Sequence, residues 1–259
     1  TNRWVLVGNH AENDDSQPRN AYFFENINGT WVSAQAVISS DWNTDQKFGL
    51  DVAVEGNWAV IGASKDYFDF GKAYLYRFNG VTWVEMSILQ QPLPHEPDYY
   101  DRFSHAVELS AGRLLIGAPG LDLFFNGAGL ATSYQWSNGT WEYAQHISAE
   151  VGATNNFAGA SVQVDGQWAV VGAPGSSNEP GEFYPVKGAV DVYRNEGSGW
   201  EFFVRIDGDR EGFGGSISLS NNQLAIGNSG LSYFPEVHVY QFNGQLWQHV
   251  TVLQGDVVD

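Results

Sequence analysis

Apolar and polar residues alternate in short bursts along this chain, and the bursts that end at a glycine recur at a fixed interval. Trp4-Val-Leu-Val-Gly8, Trp58-Ala-Val-Ile-Gly62, Leu114-Leu-Ile-Gly117, Trp168-Ala-Val-Val-Gly172 and Leu224-Ala-Ile-Gly227 set their glycines at steps of 54, 55, 55 and 55 residues. Ahead of four of them stands another apolar run: Val52-Ala-Val54, Val107-Glu-Leu109, Val162-Gln-Val164 and Ile217-Ser-Leu219. Turn residues such as Glu55-Gly56 and Asp165-Gly166 join the two runs, so each pair reads as a tight hairpin. Behind each glycine come a variable loop and an alternating run: Ala21 to Phe24, Ala73 to Tyr76, Thr132 to Tyr134, Ala189 to Tyr193 and Val237 to Tyr240. A second turn follows (Asn28-Gly29, Asn79-Gly80, Asn138-Gly139, Gly197-Ser-Gly199, Asn243-Gly244), and Trp31, Trp83, Trp141, Trp200 or Trp247 then opens a fourth strand.

Each unit is therefore a four-stranded meander, and no stretch carries a helical period over about eleven residues. A single such sheet leaves apolar faces uncovered, whereas units arranged radially cover one another and hide most edges. The pattern predicts an all-β fold: one β-propeller domain over residues 1–259, most simply five-bladed, with units at about 1–47, 48–102, 103–156, 157–212 and 213–259. The Trp opening each fourth strand is expected to pack between blades. The first unit begins at its second strand, so either a ring of five blades closes with one three-stranded blade or the chain is cut from a longer array; closure by the two termini meeting in one blade is the expectation.

Composition narrows the functions. Twelve basic against 30 acidic side chains give a formal charge of −18. That field repels nucleic acid and anionic membranes, whose recognition rests on Lys and Arg. Cysteine is absent, which removes disulfides, thiolate metal sites and cysteine nucleophiles. No run of eighteen apolar residues occurs. The six His residues form no HxH or HxxxH pair, and no Gly-x-Ser-x-Gly elbow or phosphate-binding glycine loop is present.

Phe48-Gly49, Phe213-Gly214, Gly117-Ala-Pro119, Gly172-Ala-Pro174 and the degenerate Gly62-Ala-Ser64 resemble FG-GAP repeats, closest to the bacterial form. The resemblance spans all five units. It implies a propeller similar to the head of integrin α-subunits, extracellular or at the cell surface and engaged in binding. Two features depart from it. The turns Glu55-Gly-Asn57, Ser110-Ala-Gly112, Asp165-Gly-Gln167 and Ser220-Asn-Asn222 are too short and too poor in carboxylates for the calcium loop of integrin repeats, since calcium takes about six to eight oxygens. In the fourth unit Ala158-Gly159 stands where Phe-Gly is expected, with Phe157 one position early.

In a four-stranded meander the 2–3 and 4–1 connections leave from one end, and here these are the long ones. Large aromatics recur in them: Trp42, Tyr67, Phe68, Phe70, Tyr99, Tyr100, Phe124, Phe125, Phe183, Tyr184, Tyr233 and Phe234. Carboxylates lie among them, including Asp66, Asp69, Asp101, Asp122 and Glu236. Rings in equivalent loops form a platform on which sugar faces stack or a protein anchors, with Asp66, Asp69 and Asp122 bonding hydroxyls or basic groups; the plainer alternative is that the rings tuck over their own blades and the acids are a solvated surface. No cofactor is expected. The one calcium candidate is Asp207-Gly-Asp209-Arg-Glu211-Gly212, with oxygen donors at alternate positions. The expected function is a non-catalytic, lectin-like or adhesion-type module that holds a glycan or an extracellular protein. A carbohydrate-active enzyme (polysaccharide lyase or glycoside hydrolase) or a structural spacer within a larger surface protein are the alternatives.

Overall fold

A computed structural model describes residues 3–9, 20–41, 47–64, 71–92, 101–121, 128–147, 156–175, 187–228 and 236–254. Among them the secondary structure is all strand, with no helix and hence none long and apolar enough to cross a membrane. The first sheet holds β1 (Trp4–Asn9), β2 (Asn20–Ile27) and β3 (Thr30–Val37). The second holds β4 (Phe48–Glu55), β5 (Trp58–Ala63), β6 (Lys72–Phe78) and β7 (Trp83–Leu89). The third holds β8 (Ala106–Ser110), β9 (Arg113–Ala118), β10 (Leu130–Ser137) and β11 (Thr140–Ile147). The fourth holds β12 (Ser161–Asp165), β13 (Trp168–Ala173), β14 (Ala189–Asn195) and β15 (Trp200–Asp207), and the fifth β16 (Phe213–Ser220), β17 (Gln223–Asn228), β18 (Glu236–Phe242) and β19 (Trp247–Gln254). In each sheet neighbours in sequence are neighbours in space and antiparallel. The architecture is a five-bladed β-propeller whose first blade has three strands among the described residues.

Local chemistry fixes these elements. Asn28 and Gly29 adopt φ of 52° and 88°, the mirror-image turn that suits the twist of a two-residue hairpin. Every fourth strand carries one extra residue at the same place (Ala34, Met86, Ala144, Phe203 or Val250), a bulge that bends the strand without disturbing its ends.

The inner strands β4, β8, β12 and β16 pack side by side, and β4 also packs on β1. Four apolar cores fill the spaces between blades one and two, two and three, three and four, and four and five. Each uses the Trp that opens a fourth strand. Trp83 stacks on Phe23 at 4.3 Å, Trp141 meets Trp58 at 5.6 Å and Trp247 meets Trp168 at 5.2 Å, while the Trp200 indole donates to Ser133 at 2.9 Å. Trp31 departs from the expectation: it is 44% exposed, against 3–8% for the other four. It faces the side of the first blade on which the described residues place no neighbouring blade.

The glycines of the repeat explain themselves at the same junctions. A Cβ added to Gly8, Gly117 or Gly172 would lie 2.0 Å from the carbonyl oxygen of Gly49, Gly159 or Gly214 on the next blade, and one on Gly62 would lie 2.4 Å from that of Ser104. Strand-two glycine and Phe-Gly glycine are two halves of one inter-blade latch. Ser104 replaces the second half in blade three at φ 67°, and its hydroxyl, donating to Lys72 O and accepting from Ala63 N–H, holds that conformation. The Phe slot is filled by the buried Phe48, Phe103 and Phe213, and in blade four by the buried Ala158, with Phe157 turned outward at 38% exposure.

Candidate functional site

Because β1–β2, β5–β6, β9–β10, β13–β14 and β17–β18 are joined at the same end as successive blades, all long connections leave one end of the molecule. The opposite end carries only short turns, where Glu55 accepts from Ala111 N–H at 2.6 Å and Asp165 from Asn221 N–H at 2.9 Å across blade junctions. The aromatic and acidic candidates Trp42, Asp66, Tyr67, Phe68, Asp69, Phe70, Tyr99, Tyr100, Asp122, Phe124, Phe125, Phe183, Tyr184, Tyr233 and Phe234 lie outside the described residues. The shelf from which their loops spring is described.

That shelf is polar and buried. Ser39, Ser64, Gln91, Asp101, Ser104, Asn156, Glu236 and His238 are all buried at strand ends on the long-loop side. Loop roots are tied to the next blade. The Tyr76 hydroxyl donates to Ile38 O at 3.1 Å, and the Tyr134 hydroxyl to Gln90 O at 3.3 Å. Burial pushes both phenols above their ordinary value, helped at Tyr76 by the Glu85 carboxylate, so both remain donors. Asp41, next to the candidate Trp42, accepts from Lys72 at 2.5 Å and from the Tyr74 hydroxyl at 2.6 Å. Burial opposes its charge, but those two bonds and the Lys72 charge outweigh it and hold the carboxyl below the usual range.

Two acids expected in the solvated or ligand-facing set are structural. Asp101 is fully buried. Glu236 is clamped by Arg210 at 2.9 Å and by the Gln254 amide at 2.8 Å. The calcium candidates do not converge. Asp207 accepts from Arg205 Nε at 3.1 Å, Asp209 Oδ1 stands 3.9 Å from His238 Nε2, and Glu211 is exposed. Among the described residues no three His, Asp or Glu side chains are grouped to hold a metal ion.

The axis holds chemistry that alternation alone does not reveal. The inner strands line an open pocket of about 490 Å³ whose polar lining includes Asp51, His105, Glu108, Ser161, Gln163 and Ser216. Side-chain bonds of the inner strands cross each junction from blade two to blade five. Val107 N–H donates to Asp51 at 2.7 Å, the Gln163 amide to Glu108 at 2.6 Å, and Leu219 N–H to Gln163 at 3.3 Å. Burial pushes Glu108 up to about 7, against the bonds from Leu109 N–H and Gln163, and the negative charges of Asp51 and Glu55 push the same way. Asp51 is raised too, chiefly by burial. In sequence Glu108 and Gln163 look like solvent-side members of Val-x-Leu and Val-x-Val runs; the available signal was a polar residue at the same position of successive inner strands.

The FG-GAP repeat model matches residues 31–76, from the Trp of the first blade's last strand to the Tyr of the second blade's third strand. No curated protein matches the chain. Among solved structures, a crystal structure of a protein from Lactobacillus plantarum superposes with a TM-score of 0.58 at 11% identity, covering 97% of this chain and 67% of that one. At that identity the likeness concerns the fold.

Proposed function

From a chain that carries the FG-GAP repeat on a five-bladed propeller, we propose a non-catalytic binding module, extracellular or at the cell surface, whose long-loop end holds a glycan or a protein. One observation carries this reading. Every long connection springs from one end, off a shelf whose loop roots are bonded to the neighbouring blade, while the other end has only short turns. Loops that vary in sequence on a rigid base are how propellers and other β scaffolds present ligand surfaces. The aromatic content of those loops favours flat apolar faces such as sugar rings, and their carboxylates favour hydroxyl or basic partners.

A glycan array run beside a sugar-release assay tests it. Binding without new reducing ends or unsaturated products is the expected outcome; turnover would replace the reading by an enzyme. Alanine at Phe68, Phe125 and Tyr233 should each weaken binding about tenfold, the worth of a stacked aromatic, with the melting temperature unchanged. A matching loss of stability would mean that the rings are packing.

A further inference from the structure

The axial pocket is lined by groups that accept more hydrogen bonds than they can donate. Asp51 comes from the inner strand of blade two, Glu108 from that of blade three, Ser161 and Gln163 from blade four and Ser216 from blade five, with His105 beside them. Each carboxyl oxygen of Asp51 takes one backbone N–H, Oδ1 from Val52 at 3.0 Å and Oδ2 from Val107 at 2.7 Å. Each of Glu108 likewise takes one bond, Oε1 from Leu109 N–H at 3.3 Å and Oε2 from the Gln163 amide at 2.6 Å. A carboxylate oxygen has two lone pairs, so every one of these oxygens keeps accepting capacity. The donors are largely spent. The Ser161 hydroxyl is given to Gly214 O at 2.7 Å, and Gln163 has committed one N–H to Glu108, which leaves its second N–H and the Ser216 hydroxyl.

No cation answers these acids. Asp51 reaches the backbone of the residue before Glu108, so the two carboxyls are neighbours across the junction of blades two and three. Among the described residues neither forms an ion pair, and the charges that act on Glu108 are negative, from Asp51 and Glu55. Neighbouring carboxyls taken partly out of water without a counter-charge resist ionisation, and a cation between them removes that cost. A lining of spare acceptors with few spare donors suits a ligand that only donates. An ammonium is such a group, with three N–H donors and no acceptor. We propose that the axial pocket binds a small primary amine as its ammonium ion, held by the Asp51 and Glu108 carboxylates. The volume of about 490 Å³ is that of a small-molecule site. This site is independent of what the long loops hold.

Isothermal titration of the intact protein with butylammonium chloride at constant ionic strength tests it. Saturable binding is expected, at least tenfold tighter at about pH 8 than at about pH 5.5, with about one proton released per amine near pH 6 as Glu108 ionises. Glu108→Gln and Asp51→Asn should each weaken binding at least tenfold at about pH 8. Glu142→Gln, which removes an exposed charge elsewhere, should leave it unchanged. His105, the other titratable group of the lining, turns cationic in acid and acts in the same sense as Glu108. The pH dependence should therefore persist in His105→Gln and be lost in Glu108→Gln. Tetramethylammonium, which carries the charge without an N–H, should bind at least tenfold more weakly. Absence of saturable butylammonium binding, equal binding of tetramethylammonium, or full affinity in either carboxyl variant would each overturn the proposal. So would competition by calcium chloride or by a neutral monosaccharide, which would assign the acceptors to a metal ion or to hydroxyls. Should a carboxyl variant fail to fold, proton release by the intact protein decides, and its absence would overturn the proposal.

Discussion

At the scale of single residues, the axial carboxyls make this acidic protein's stability depend on pH in a definite direction. Glu108 has its folded-state value raised from an ordinary 4.5 to about 7 by burial. The folded chain therefore binds that proton more tightly than the unfolded chain. Below about pH 4.5 both states are protonated and nothing is lost. As pH rises through the interval up to about 7, the unfolded state has already ionised while the folded state resists, so stability falls. The upper bound on that loss is about 3 kcal/mol, from 1.36 kcal/mol per pH unit. Glu108→Gln, which keeps an acceptor for Gln163, should flatten urea-denaturation stability between pH 5 and 7 and raise it at pH 7. An unchanged slope would mean that water reaches the carboxyl freely. Asp41 works in the opposite sense, its lowered value contributing stability at neutral pH that is lost in acid.

At the scale of elements, the blade junction rests on glycine more than on any side chain. A methyl on Gly172 would stand 2.0 Å from Gly214 O, a backbone atom that cannot rotate aside, and 2.3 Å from Ser161 Oγ. Gly172→Ala must push β13 and β16 apart, and should cost about 3 kcal/mol or more, the upper range of overpacking. Gly227→Ala meets only ordinary contacts and should be neutral or slightly stabilising, because alanine loses less entropy in a strand. Thermal melts of the two variants compare identical chemistry with and without a neighbour; equal losses would dismiss the latch. The sequence makes these elements legible because the glycine at the end of strand two and the Trp opening strand four recur at a fixed period, and period survives drift elsewhere. Ala158 in a Phe slot did not hide the fourth blade, since Gly159 and Gly172 kept their spacing. The polar residues of the axis were not legible. Glu108 and Gln163 alternate with apolar neighbours as a solvent face does, and only the radial arrangement turns that face inward. Trp31 misled for the converse reason, as its burial depends on a neighbour that local pattern does not register.

At the scale of the whole molecule, an array in which each unit touches only its neighbours has a stability that is a sum of unit and junction contributions, and it opens from wherever junctions are fewest. Among the described residues blade three is flanked by two cores, whereas blades one and five each have one. Strand three is the fair comparison, because it lies at the middle of hydrogen-bonded pairing in every blade: β2, β10 and β18 each have a partner on both sides. Native-state hydrogen exchange should therefore find the β10 amides at least tenfold slower than those of β2 and β18, a difference of about 1.4 kcal/mol in opening free energy. Uniform protection across the three strands would mean that the five blades unfold as one cooperative body and that the exposure of Val5, Val7 and Trp31 costs little.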